Sequence, residues 1–168
     1  MTHVLIVGQT ESGKTTLAKR MIPAYRRVGI ASLVLDPHND DWGADFQTTD
    51  PDHFLEVARR SMSCACFVDE SGQSVGRYNT EMQWLATAAR HWGHKSHFLT
   101  QRPAQIAVTV RDQCSHLYCF CISSDDGKLL ANEFPKAPRL REANTFERLH
   151  YLYVGRFTTP REGVVTFA

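Results

Sequence analysis

The segment Gly8-Gln9-Thr10-Glu11-Ser12-Gly13-Lys14-Thr15 constrains this chain more than any other stretch. It fits the spacing G-x-x-x-x-G-K-[ST] in full. It follows the β-branched run Val4-Leu5-Ile6-Val7 and opens a stretch of helical composition from Lys14 to Val28. A strand–loop–helix order is the context the motif requires. Gly8 and Gly13 permit torsions that a side chain would block. Successive amides then turn inward to hold phosphate oxygens, and the helix N-terminus adds its dipole. We therefore expect ATP to be bound by Gly8, Thr10, Glu11, Ser12, Gly13, Lys14, Thr15 and Thr16. Lys14 would reach the β- and γ-phosphates, and the Thr15 hydroxyl would face Mg²⁺. The bland alternative is a Gly-rich turn with no ligand.

Along the chain, apolar runs alternate with helical stretches. Ala31-Ser32-Leu33-Val34-Leu35, Cys64-Ala65-Cys66-Phe67-Val68, His97-Phe98-Leu99-Thr100 and His116 to Ile122 read as further buried strands. Pro23 should kink or shorten the first helix, and Gly29 should stop it. Asp50 and Pro51 mark an N-cap and first helical position for a helix to about Arg60. A helix is expected from about Asn79 to His91, and another from Asp126 to Phe134. Leu149 to Val154 and Val164 to Phe167 should form a terminal hairpin across Thr159 to Gly163. Such alternation predicts an α/β domain of three layers with a mainly parallel sheet, one domain over residues 1–168.

Composition narrows the function classes. The net charge is +1, so the fold is no general polyanion binder, and any nucleic-acid contact must come from local basic loops or repetition in an oligomer. The five cysteines include no Cys-x-x-Cys and read as buried thiols; a zinc site is the minority alternative. His91, His94 and His97 recur every third residue, but a helix end, Gly93 and a strand start would scatter their rings. No stretch approaches the ~18 apolar residues of a membrane span. The first strand begins almost at Met1, so no leader or preceding domain is expected.

Asp69-Glu70 ends the third strand in a Walker B pattern. Asp69 would hold Mg²⁺ through water, and Glu70 would orient and deprotonate an attacking water. Solvated turn acids are the alternative. An acid at position 70 suits hydrolysis better than phosphoryl transfer to a small molecule. Gln101, at the end of the next strand, is placed to touch the γ-phosphate and the water, or else simply caps its strand. Phosphoryl transfer also gains from a cation on the γ-phosphate. Arg90, Arg102 and Arg111 are candidates, with Arg90 and Arg111 the better choices for serving a neighbouring subunit; any one of them can equally be a solvated surface residue. The polar loop Ser71 to Tyr78, with Gly72, Gly76 and Arg77, is the candidate DNA contact, against the alternative of a solvated loop. Lys95 and the stretch from Lys136 to Arg141 come next.

These residues resemble a known family. Asp36-Pro37-His38-Asn39-Asp40 resembles the Asp-Pro-His stretch after the second strand of HerA/FtsK-type ATPases, and His38 would line the nucleotide side. Ala89-Arg90-His91-Trp92-Gly93-His94, followed by Leu99-Thr100-Gln101-Arg102-Pro103, resembles that family's Arg-x-x-Gly and Thr-Gln-Arg-Pro segments. The likeness covers roughly residues 3 to 122. It implies a RecA-like, additional-strand sheet of order 5-1-4-3-2. A bare motor core of this size is similar to the genome-packaging ATPases of tailless internal-membrane phages and archaeal viruses. That resemblance implies a homo-oligomeric ring, hexameric or pentameric, driving double-stranded DNA into a preformed capsid. It also implies a location in the host cytoplasm and at the virion vertex, with a capsid or membrane protein as further partner. A small-molecule or nucleotide kinase, and a non-motor nucleotide-binding virion assembly factor, stay open as alternatives.

Overall fold

The computed structural model describes residues 3–74 and 80–167. In chain order its elements are β1 (His3–Val7), α1 (Lys14–Arg27), β2 (Ser32–Leu35), β3 (Phe46–Thr48), α2 (Pro51–Arg60), β4 (Ala65–Val68), the helical turn α3 (Ser71–Ser74) and α4 (Trp84–Thr87). Then follow β5 (Lys95–Thr100), α5 (Val108–Asp112), β6 (Cys114–Cys119), α6 (Ser124–Glu133), β7 (His150–Gly155) and β8 (Arg161–Val164). Short 3₁₀ segments lie at Ala89–Trp92, Pro103–Gln105 and Pro138–Thr145.

Among the described residues the strands make one sheet, in the order β3-β2-β4-β5-β1-β6-β7-β8. The five core strands keep the expected 5-1-4-3-2 order, seen here as β6-β1-β5-β4-β2, and pair in parallel. Beyond them, β3 extends one edge in parallel, and β7 and β8 extend the other antiparallel. Both faces are covered. Alternate residues of β1 point opposite ways: Leu5 and Val7 pack with α2, α4, α5 and α6, whereas Val4 and Ile6 pack with Ala18 and Ile22 of α1. This is the three-layer arrangement, and it leaves the strand ends as the place for chemistry.

Several boundaries differ from expectation. α1 runs through Pro23, which is exposed, so a carbonyl that loses its donor there has water at hand. Gly29, at φ 76°, does end it. Asp50 accepts from the Asp52 amide as N-cap, with Pro51 at the first position. The continuous helix expected over 79–91 is instead α4 and a 3₁₀ turn, within the described part. The Leu85 carbonyl accepts from Ser96 Oγ at 2.7 Å, a tertiary bond that competes with helix continuation. The hairpin turns earlier than expected: Tyr153 pairs with Arg161 and Tyr151 with Gly163. Gly163 is thus a strand residue. A Cβ there would lie 2.3 Å from the Tyr151 ring.

Candidate active site

The phosphate loop is held at its start by its neighbours. Gly8 N donates to Thr100 O (3.2 Å) and Gln9 N to Cys121 O (2.9 Å), which ties the loop to the ends of β5 and β6. Gly8 has no room for a side chain, since a Cβ would sit 2.2 Å from Ser12 Oγ and 2.9 Å from Phe120 Cβ. Gly13 has φ 115°, a left-handed value that favours glycine, and Glu11 also sits at positive φ, 64°. These torsions are of the kind a phosphate-binding loop uses. Among the described residues, the amides of Gly13, Lys14, Thr15 and Thr16 donate to no protein acceptor. Ser12 Oγ is buried without a partner. A cluster of unpartnered donors at a glycine-built loop and helix start fits a polyphosphate. Thr10 and Glu11 are exposed at its crown, while Thr15 and Thr16 are half-buried.

Charge completes the site. Lys14 is buried, and so is Asp69 at the end of β4, close enough for each to feel the other. Burial pushes the Asp69 carboxyl above its ordinary value. The bond from the Glu70 amide (2.9 Å) and the Lys14 charge pull it back, while Asp36 and Glu70 push it further up. Glu70 sits at φ 49°, a strained value for a residue with a side chain, and is half-buried. Ser71 Oγ donates to Val68 O at 2.6 Å and closes the turn behind it. Gln101 directly follows Thr100, the residue that pairs with Val7, and so stands beside the start of the loop.

Asp36 has a part that its motif alone did not reveal. Fully buried, it accepts from the His38 amide (2.8 Å), the Asp40 amide (2.9 Å) and Trp42 Nε1 (2.9 Å). It folds the loop after β2 onto the same end of the sheet, with His38 exposed on it.

The arginines separate. Arg111 is 5% exposed and spent internally. It pairs with Glu133 at 2.9 Å and donates to the carbonyls of Pro103 and Ile106. Within its own chain the guanidinium is thus engaged by one carboxylate and two carbonyls. Arg102 bonds Asp126 at 3.2 Å. Arg90 is exposed, but it lies near His3, at the opposite end of the sheet from the phosphate loop. Arg77 and the centre of its loop, residues 75–79, lie outside the described residues; the segment's start is the turn α3. The histidine triplet is scattered: His91 is exposed, while His94 and His97 are buried in separate networks. Cys66, Cys114 and Cys119 are buried thiols raised by desolvation.

No protein-family model and no curated protein sequence matches the chain. Solved structures do. The genome-packaging NTPase B204 of Sulfolobus turreted icosahedral virus 2, in complex with AMPPCP, superposes with a TM-score of 0.81 over 96% of both chains, at 16% identity. The chain has the fold of a viral genome-packaging NTPase. VirB4 of Thermoanaerobacter pseudethanolicus gives a TM-score of 0.76 at 8% identity, over 99% of this chain and 89% of that one. The pCW3 conjugation coupling protein TcpA, with ATPγS, gives 0.71 at 14% identity over 96% of this chain and 59% of that one. The resemblance read from the Asp36-Pro37-His38 and Thr100-Gln101-Arg102-Pro103 segments is therefore matched by fold. Also among the described residues, no helix is long and apolar enough to cross a membrane.

Proposed function

We propose that this protein hydrolyses ATP and uses the energy to move double-stranded DNA, as the packaging motor of a virus. The observation that carries the reading is the run of unpartnered amides at Gly13–Thr16, with buried Lys14 and Asp69 beside them. Its fold-mate B204 is a genome-packaging NTPase seen with a nucleotide analogue, which supports both halves of the proposal.

Thr15 and Asp69 would hold Mg²⁺, which when bound neutralises charge on the β- and γ-phosphates. Lys14 supplies a fixed cation to the same oxygens. Glu70 accepts the proton of the attacking water, and Gln101 orients that water and reads whether the γ-phosphate is present. The backbone at Glu70 is strained and runs directly into the turn at Ser71 and on towards Arg77. Loss of the γ-phosphate can therefore be passed along the chain to a loop that touches DNA. Several such loops around a ring axis would sum weak backbone contacts that one near-neutral subunit lacks. The ring is pentameric or hexameric, and it works from the host cytoplasm at a capsid vertex with a capsid or membrane protein.

ATP turnover measured with and without duplex DNA, with oligomeric state in the same buffer, tests the reading. We expect DNA to stimulate turnover and the rate per subunit to rise with protein concentration. Arg77→Ala should lower the stimulation and flatten the salt dependence of DNA binding while basal hydrolysis persists. Turnover indifferent to DNA would leave a nucleotide-switched assembly factor, and phosphoryl transfer to nucleosides would make it a kinase.

A further inference from the structure

The groups that face the γ-phosphate all lie on one flank of the loop. Asp69 ends β4 and Gln101 ends β5, whereas β6 and β7 lie on the other side of β1. On that other flank the chain returns towards β7 and grips the loop from outside. Arg148 Nε donates to Glu11 O at 3.1 Å, and Leu149 N donates to Ser12 O at 2.9 Å. Two loop carbonyls are thereby engaged by donors from outside the loop, so neither is free to face a bound anion. Leu149 adopts φ 68° to do this, and its side chain packs over Gly13, where a Cβ would lie 3.1 Å from Leu149 Cδ2.

The C-terminal segment joins the same flank. Val165 N donates to Leu149 O at 2.9 Å. Thr166 Oγ1 accepts from Arg20 of α1 at 3.3 Å, one helical turn beyond Thr16. The next residue, Phe167, is 69% exposed, a large aromatic that the core does not use. A triphosphate with its γ end towards Asp69 and Gln101 would run along the amides of Gly13–Thr16 and would leave the loop on this flank, towards Leu149 and Phe167.

We propose that Leu149 and Phe167 form the wall against which the base of the bound nucleoside triphosphate packs, and that Arg148 is a positioning residue bracing the loop beneath it. The inference rests on the nucleotide-site reading above. It assigns a role to a segment more than 130 residues away in sequence from the loop it serves.

Calorimetric titration with Mg·ATP and with inorganic tripolyphosphate, which has no base, separates the possibilities. Phe167→Ala should weaken ATP binding about tenfold, in the range measured for base–aromatic stacking, and leave tripolyphosphate affinity unchanged. Arg148→Ala should weaken both ligands by the same factor, because it loosens the loop. Phe167 is exposed, so its replacement does not threaten folding. If Phe167→Ala leaves ATP affinity intact, or lowers both ligands alike, the base wall is overturned. If Arg148→Ala weakens ATP alone, the bracing role is overturned. A parent protein that binds neither ligand would instead refute the nucleotide site itself.

Discussion

The two ends of the sheet bury polar groups in opposite ways. At the amino-terminal ends, His3, His94, Ser96 and His97 are all buried. His97 donates from Nδ1 to Cys66 O (3.0 Å), accepts from Tyr25 at Nε2 (2.9 Å) and stacks on Phe67. His94 accepts from the Cys64 amide and donates to Ala58 O. Burial lowers the His97 pKa to about 3 and that of His3 to about 4, so both rings are neutral. At the carboxyl-terminal ends, Lys14, Asp36 and Asp69 are buried together, with Ser12 Oγ unpartnered. One end solves burial by discharging its rings and pairing most of them, with His3 Nε2 left without a partner. The other buries an ammonium and two carboxyls side by side and leaves donors open, an arrangement suited to a bound anion. Burial alone does not mark a site; what differs at the carboxyl ends is that Lys14, Asp36 and Asp69 are buried side by side.

The largest expected effects test that contrast at the open end. Lys14→Ala should abolish nucleotide binding or turnover, because the phosphates lose their main cation. Glu70→Gln should keep ATP binding and lower hydrolysis by roughly 10²–10⁴-fold, the usual worth of a general base. Parent-rate hydrolysis by the Glu70→Gln protein would remove Glu70 from that role and weaken the contrast.

Next come the two arginines. Arg111→Ala strands Glu133, 17% exposed, beside two carbonyls that lose their donor. We expect about 3 kcal/mol lost from the unfolding free energy in urea. Arg90→Ala should change stability by less than about 0.5 kcal/mol. Subunits carrying Arg90→Ala, mixed with Glu70→Gln subunits, should regain some turnover if Arg90 serves a neighbour. That would require the amino end of one sheet to meet the carboxyl end of the next. No recovery would exclude Arg90 as the trans cation.

A further effect concerns the closed end. A histidine whose pKa falls on folding contributes stability that is complete above its unfolded value and is lost as pH drops towards its folded one. Stability should therefore decline from about pH 6.5 downwards, with His3 and His97 both contributing until about 4 and 3. His97→Phe should shrink that decline by roughly 3 kcal/mol at pH 4.5. An unchanged acid slope in urea titrations would mean that the charge-neutral account of this end is wrong.

The sequence by itself determined the phosphate loop, the five core strands and the acids at their ends. Each of these depends on local chemistry: glycine torsions, β-branched runs buried on both faces, and a carboxylate directly after a strand. Resemblance supplied the order of those strands. Tertiary structure decided what local chemistry cannot. Whether Arg111 was free or spent depended on Glu133, 22 residues away. The helix expected over 79–91 gave way to a bond from Ser96, and Gly163 belonged to a strand because the Tyr151 ring needed its space. β3 is only three residues long and exists because β2 offers it an edge. The brace at Arg148 and Leu149 left no mark in the sequence around it. Its partners are main-chain carbonyls of Glu11 and Ser12, and a carbonyl is the same in every residue, so only the folded chain could bring that contact to light.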